Sequence, residues 1–401
     1  MARAPKNPTT SNMRPVWAEV SLPALVHNFK SIRSYVNPTQ EKRGAPRKVL
    51  CIVKGNAYGH GAPQVAKALE KAGADWFGVT CTEEGIALRK AGVRKPILIL
   101  TSFVPGEEKR LLEHNLTAVI HRCEQLPQLE RAAARRGKRK VSFHLKIDTG
   151  MNRLGIAPSD VDCFARQVAK APHLQLGGVM THFASSESFG DTPAGRQTRE
   201  QEERFFAALE RLRTLGIEPG IVHLANSAAI VTRPETWADM VRPGAILYGY
   251  HPGYDPVEQR AEIEKRLALQ PAMSLRSRII GLREVPAEAG VGYGSSFIPE
   301  KPSRIAVLAA GYGDGIHRSL GNHGSVLIRG VLAPMVGIVS MDVTTIDVTE
   351  VPGVEIGDTA TIYGTAGKFS HPAHLVARSI GTVTSDLLCA VSERVPRIYT
   401  C

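Results

Sequence analysis

The sequence predicts an α/β protein, a (β/α)8 barrel of the TIM type followed by a smaller, mostly antiparallel β domain. Three observations point there. Eight short apolar runs rich in β-branched residues recur with longer amphipathic or Ala-rich segments between them, a pattern that implies right-handed crossovers and a parallel sheet. Eight such units in about 240 residues match the size of a closed barrel. The open doubly wound alternative lacks its dinucleotide fingerprint, because GYGDG at Gly311 follows a strand-like run without the G-x-G-x-x-G spacing.

The barrel strands are read in order as VLCIV from Val49, WFGVT from Trp76, PILIL from Pro96, TAVI from Thr117, VSFHLKID from Val141, LGGVMTHF from Leu176, IVHLA from Ile221 and DMVRPGAILYG from Asp239. Between them PQVAKALEKAG, TEEGIALRKAG, EEKRLLEHN, QLPQLERAAARRGK, SDVDCFARQVAKA and RQTREQEERFFAALERLRTLG read as helices, several closed by a C-capping glycine. From about Gln270 the texture changes to AMSLRSRIIGL, RIAVLAAG, SVLIRG, PMVGIVSMDVTTIDV and DTATIYG, short runs parted by Gly and Pro turns, with one helical segment, HPAHLVARSIG. The boundary falls in the charged, proline-flanked DPVEQRAEIEKRLALQP. The division expected is a disordered N-terminal arm over 1–15, the barrel over 16–262 and the β domain over 263–401.

Composition supports a globular chain: of 401 residues 43% are hydrophobic and 22% charged, which excludes a disordered, collagen-like or disulfide-scaffold protein. The formal charge of +12 raises the question of a polyanionic partner. Ten cations lie in two acid-free stretches, Lys42, Arg43, Arg47 and Lys48, and Arg131, Arg135, Arg136, Lys138, Arg139 and Lys140. Without interleaved aromatics or a nucleic-acid motif these read as a solvated loop and a solvated helix end, so no nucleic-acid partner is expected. Six cysteines show no C-x-x-C pair and no histidine cluster, which disfavours a zinc site or a disulfide framework. The basic, polar N-terminus carries no apolar signal region, and no uncharged run approaches the roughly 20 residues that span a bilayer. A cytoplasmic protein with no membrane partner is expected.

In a parallel barrel the working residues sit where strands end and βα loops begin. Run one ends in VKGNAYGHG, with Lys54 at the tip and Tyr58 four residues on. Run five ends in LKIDTGMNRLG, with Lys146, Asp148 and Arg153; run six brings His182, run seven Asn226 and Ser227, and run eight Arg242 before Pro243-Gly244. Singly, each has an ordinary explanation: a snorkelling lysine, a core histidine, a helix N-cap, a surface cation. Together at one end of one sheet they suit a specific chemistry. A strand-end lysine can form a Schiff base with an aldehyde cofactor. A serine opening a helix, with the backbone N–H groups after Arg242-Pro243-Gly244, can hold a phosphate. Pyridoxal phosphate (PLP) needs a lysine, a phosphate cup and partners for its ring nitrogen and phenolic oxygen. A metal site is disfavoured, because His182 has no carboxylate or second histidine at ligand spacing.

The ordered segments VKGNAYGHG, KIDTGMNRLG, THFASS, ANSAA, DMVRPGAILYG, VGYGSSF, GYGDG, SMD and RVPR resemble those of the fold-type III PLP-dependent alanine racemases, over roughly Val16 to Tyr399. The resemblance implies a (β/α)8 barrel followed by a β domain, and a homodimer with shared active sites. It implies Lys54 as Schiff-base lysine and base on one face of the substrate Cα, with Tyr293 of the partner subunit as base on the other. A proton that leaves one face and returns to the opposite one needs two such groups. It further implies that Arg242 faces the pyridine nitrogen, that Arg153 meets the phenolic oxygen and the substrate carboxylate, and that His182 and Asn226 line the cofactor. Tyr58, Ser227, Gly244 and Ala245 would hold the phosphate, while Tyr312, Met341 and Asp342 would line the substrate entrance. Lys146 matches a lysine carbamylated in many relatives; the alternative is an unmodified lysine paired with Asp148. The implied activity is interconversion of L- and D-alanine, supplying D-alanine for peptidoglycan.

One departure bears on specificity. Where relatives carry a Tyr-Glu pair before the Leu-Leu-Cys run, this chain has Ser385-Asp386. A smaller residue there leaves space, which points to a racemase that accepts serine as well as alanine, unless a neighbour fills the gap. A barrel-type PLP amino-acid decarboxylase is a more distant alternative, since it shares the lysine but not this motif set.

Overall fold

The computed structural model describes residues 14–39, 44–137, 140–188, 190–255 and 257–401. Most of the expected N-terminal arm, and Lys42, Arg43, Lys138 and Arg139 of the basic stretches, lie outside the described residues. The chain divides into two compact units, one spanning 23–270 and the other combining residues up to Leu22 with 271–401.

The strands are β1 (Val16–Ser21), β2 (Lys48–Ile52), β3 (Trp76–Val79), β4 (Ile97–Ile99), β5 (Thr117–Ile120), β6 (Val141–Lys146), β7 (Leu174–Met180), β8 (Ile221–His223), β9 (Met240–Val241), β10 (Met273–Val285), β11 (Ser303–Leu308), β12 (Ser325–Ile328), β13 (Val331–Pro334), β14 (Thr344–Asp347), β15 (Thr359–Ala366), β16 (Phe369–His371) and β17 (Arg397–Thr400). In the first unit β2 to β8 pair in parallel in chain order, and β9 pairs with β2. Hydrogen bonds from Asp239 N to Val222 O and from Arg242 N to Ala225 O, each 3.0 Å, join the remaining edges and close the ring. All eight sequence-predicted runs supply these strands. Side chains alternate across each strand. Leu50 and Ile52 of β2 therefore enter the interior with Leu98, Val119, Met180 and Met240, while Phe143 of β6 turns outward onto Phe164 of the helix Val161–Val168.

The helix Leu22–Tyr35, which the periodicity reading omitted, buries Leu25, Phe29 and Ile32 at helical spacing. Its buried Asn28 gathers the ends of this unit, donating from Nδ2 to Leu247 O (3.1 Å) and Gln270 O (2.8 Å) and accepting from Gln270 N (2.8 Å). A second correction concerns the basic loop. Arg47 is buried rather than solvated: its guanidinium sits 5.1 Å from the Trp237 ring centroid and donates to Val36 O, so packing has taken over a charge that composition assigned to solvent. Arg131, Arg135, Arg136 and Lys140 are exposed.

The second unit is a sheet in the order β13-β12-β15-β10-β1-β17, with β11 against β10 and β14, and β16 against β15. Its pairs are antiparallel except β1 with β17. Residues 16–21, which the sequence-based division gave to the barrel, belong here. Val16 to Val20 pair with Ser277 to Met273, because an isolated strand preceding the barrel has no barrel neighbour to bond and completes its ladder on β10 and β17.

Candidate active site

The loop ends of the barrel strands gather the predicted residues. After β2 the chain makes a left-handed turn through Gly55 (φ 59°), Asn56 (52°), Ala57 (56°) and Tyr58 (51°), immediately after Lys54. A left-handed residue other than glycine costs roughly 1–2 kcal/mol, and the surroundings hold it in place. Gly55 N donates to Glu84 Oε1 (2.7 Å), Ala62 N to Asn56 Oδ1 (2.8 Å), and His60 Nδ1 to Tyr58 O (2.8 Å). The turn leaves Lys54 exposed at the strand tip and draws Tyr58 back over the barrel, where its ring stacks on Tyr248 at 4.7 Å.

There the Tyr58 hydroxyl meets the loops after β8 and β9. Asn226 caps the helix Ser227–Thr232 by accepting from Ala229 N (3.1 Å), and Ser186 Oγ donates to the same Asn226 oxygen (2.7 Å). This leaves Ser227 Oγ to accept from Gly244 N at 2.8 Å. A Cβ placed on Gly244 would lie 2.8 Å from the Tyr58 hydroxyl and 3.6 Å from Ser227 Oγ. Two hydroxyls thus converge on the face of a glycine, next to the N-terminus of the 3-10 turn that begins at Ala245.

Arg242 lies beneath, only 3% exposed and without a carboxylate in contact among the described residues. Carbonyls hold it: Nη1 donates to His223 O (2.7 Å), and Nη2 to Thr181 O (2.7 Å) and Leu224 O (2.8 Å). Nη2 also faces His182 Nδ1 at 3.3 Å, and Nη1 faces His223 Nδ1 at 3.4 Å. Burial lowers Arg242 to about 9, which leaves it cationic at neutral pH. Burial, then Arg242, Lys146, Arg153 and Lys54, hold His182 well below its usual value, so it is neutral. A proton on His182 Nδ1 would point at a guanidinium that only donates, so this contact favours the tautomer with the lone pair on Nδ1 and the proton on Nε2.

Lys146 ends β6, 5% exposed, and burial with the neighbouring Arg153 and Arg242 lowers it to about 8. Among the described residues Asp148 makes no ion pair with Lys146, although its charge partly offsets that lowering. The carboxylate accepts from Gly150 N and Asn152 N (both 3.0 Å) and Arg153 N (2.8 Å), so it closes the turn that presents Arg153, and it stays ionised below the usual carboxylate range through those N–H groups. The mouth is strongly cationic, a field suited to a phosphate and a carboxylate. Two residues escaped the sequence reading: His223 and His144 lie within runs read as strands, and only strand parity with Lys146 marks His144 as inward-facing.

Tyr293, Tyr312, Met341 and Asp342 belong to the other unit. Tyr293 stands 71% exposed between Gly292 and Gly294, both at positive φ. Tyr312 and Met341 share one structure, since Tyr312 N donates to Ser340 O and Gly313 N to Met341 O, both 2.9 Å. The wholly buried Asp314 anchors it, accepting from Gly311 N (3.0 Å) and pairing with Arg394 (2.9 Å) and Arg14 (3.0 Å), while Arg394 also pairs with Asp342. Ser385 is partly buried in the short helix Thr384–Cys389.

Comparison with known proteins follows this division. A family model described as alanine racemase, N-terminal domain, matches residues 20–252, and one described as alanine racemase, C-terminal domain, matches 272–399. The chain is 40% identical over 390 residues to alanine racemase 2 of Caldanaerobacter subterraneus subsp. tengcongensis, covering 96% of this chain and 95% of the relative. Among solved structures, alanine racemase from Clostridium difficile matches at TM-score 0.86 and 32% identity over 96% of each chain. The Bacillus anthracis alanine racemase solved with bound L-Ala-P matches at TM-score 0.86 and 31% identity, covering 97% of this chain and 95% of that one.

Proposed function

From the membership of this chain in the alanine racemase family, we propose how its own residues carry out the family's reaction. The protein is an isomerase that interconverts L- and D-alanine with PLP. The donor set fits that group: the Tyr58 and Ser227 hydroxyls face the Gly244 cradle, Lys54 offers an amine at the same barrel end, and Arg242 keeps Nε clear of the carbonyls that engage its other nitrogens. Tyr58, Ser227, Gly244 and Ala245 would hold the phosphate, Arg242 the ring nitrogen, Arg153 the phenolic oxygen, with His182 and Asn226 alongside. When bound, PLP supplies an aldehyde for the amine and a conjugated ring that takes up electron density from the α-carbon. Arg242, cationic at neutral pH, donates to the ring nitrogen without protonating it, which would limit that uptake and favour reprotonation at the α-carbon over side reactions.

Lys54 exchanges the α-proton on one face and Tyr293 of the partner subunit on the other. A tyrosine of ordinary pKa about 10 is a reluctant base. The His182 tautomer that suits Arg242 would present an Nε2–H to the phenolic oxygen of Tyr293 of the partner subunit and favour its anion. Arg153, with Tyr312, Met341 and Asp342 at the entrance, would orient the substrate carboxylate. The lowered pKa of Lys146 leaves part of its amine neutral near pH 8, the form that adds to CO2, releasing a proton and leaving a carbamate. That anion would pair with Arg153. A cytoplasmic homodimer supplying D-alanine for peptidoglycan completes the reading; no helix among the described residues is long and apolar enough to cross a membrane.

The observation that carries it is the Gly244 cradle, roofed by Tyr58, at the same barrel end as Lys54 and Arg242. The test is subunit complementation. Lys54→Ala and Tyr293→Phe homodimers should each be nearly inactive, and mixed dimers should regain racemisation at the one site that pairs an intact Lys54 with an intact Tyr293. Verified heterodimers without activity would refute shared sites.

A further inference from the structure

The barrel interior holds a pair of imidazoles that the reaction does not use directly. His144 of β6 and His223 of β8 are both fully buried, and His144 Nδ1 lies 2.9 Å from His223 Nε2. Strand β7 runs between them. Gly178, at the crossing, has Cα partners His144 on one side and Ile221 on the other. A Cβ on Gly178 would lie 2.6 Å from Ile221 O and 2.7 Å from both His144 Cε1 and Nδ1, whereas its backbone is not in the left-handed region that calls for glycine. The missing side chain therefore serves space: it opens the passage through which the two rings meet. The register break beside it, where Phe143 pairs with Leu176 but His144 with Gly178, puts that gap opposite His144.

The protons on this pair follow from Arg242. Its Nη1 faces His223 Nδ1 and can only donate, so His223 Nδ1 carries the lone pair. Burial holds both histidines below their usual range, His144 down to about 3, so each ring has one proton. That of His223 is on Nε2 and donates to His144 Nδ1, which leaves the His144 proton on Nε2. Every N–H then points away from the guanidinium, and the two rings draw its charge outward in a core where no carboxylate among the described residues touches it. The cost is visible at the far end, where buried His144 Nε2 has no hydrogen-bond partner among the described residues.

We propose that His144 is a positioning residue which, through the Gly178 gap, accepts from His223 Nε2 and, together with Arg242 at the other ring nitrogen, holds His223 in one tautomer and so steadies the seat of Arg242. This rests on the reading of Arg242 as a cofactor-facing residue, but its first test needs neither cofactor nor turnover. In the protein labelled with 15N-histidine, the nitrogen shifts of His223 should report a protonated Nε2 and an unprotonated Nδ1. A proton on Nδ1 of His223 in the wild type overturns the proposal outright. His144→Leu, which removes the acceptor, should mix the two His223 tautomers and reduce kcat about tenfold with KM little changed, the scale of one misplaced hydrogen bond. His144→Gln, which offers an acceptor oxygen, should restore the wild-type His223 shifts and recover kcat to within about threefold. If His144→Leu keeps the His223 shifts and kcat, or if the glutamine variant fares no better than leucine on both readouts, His144 is only packing. Failure of the wild-type protein to racemise alanine would instead refute the functional reading and leave the tautomer result standing.

Discussion

Replacing Gly244 with alanine is the most direct challenge to the proposed phosphate seat. The added methyl carbon would lie 2.8 Å from the Tyr58 hydroxyl oxygen, 3.5 Å from its ring carbon Cζ and 3.6 Å from Ser227 Oγ. Tyr58 has little room to yield, because its ring is stacked on Tyr248, whose hydroxyl donates to Ile52 O at 2.8 Å. The phenol must therefore move off the cradle by several tenths of an ångström, and the methyl occupies space that the phosphate needs. A hydrogen bond to a charged acceptor contributes about 1.5–3 kcal/mol, so the dissociation constant for PLP should rise by about 10–150-fold. Overpacking adds a separate loss of about 1–3 kcal/mol in apoprotein stability. Titrating apoprotein with PLP by fluorescence quenching reads the first, and thermal unfolding without cofactor reads the second. Tyr58→Phe removes the donor without adding volume and should weaken binding to a similar degree. Both variants binding within about threefold of wild type, a change below the value of one such bond, would refute the assignment of this cradle to the phosphate.

Other outcomes follow from groups described above. Lys146, lowered in the fold to about 8, binds a proton more weakly than it does unfolded, at about 10.4. Its burial therefore destabilises the apoprotein below about pH 8, and that penalty fades as the pH climbs toward about 10.4. In CO2-free buffer, Lys146→Met should be more stable than wild type at pH 7, with the difference narrowing by pH 10 in chemical denaturation; a constant gap would show that Lys146 is not desolvated. Asp314→Ala strips the buried partner from Arg394 and Arg14 and should cost about 1–3 kcal/mol in the second unit, read by calorimetry, with a raised KM if this anchor seats Asp342. An unchanged melting curve would dismiss the anchor. At Ser385, kcat/KM for L-serine should fall within about a thousandfold of that for L-alanine, or about 4 kcal/mol; a greater preference for alanine would mean that a neighbour fills the space.

The sequence made the strands legible because burial in a parallel barrel demands short β-branched runs, and chemistry at strand tips demands the residue types that end them. Lys54, Lys146, His182 and Arg242 were identifiable on that ground alone. His144 and His223 were not, since a histidine within an apolar run looks like any other core residue until another strand places a partner 2.9 Å away. Arg47 misled in the opposite direction: its neighbours in sequence are cations, but its neighbour in space is Trp237.

The sequence by itself determined the order of the strands and which residue types stand at their ends, because both are local consequences of periodicity and turn chemistry. It could not determine that Val16–Ser21 completes the other sheet, a pairing set by hydrogen-bond edges over 250 residues away in sequence. Nor could it determine the proton positions on His182 and His223. Those depend on Arg242 being buried among three carbonyls with no acid beside it among the described residues, and which donor faces which lone pair is decided only when the strands are brought together.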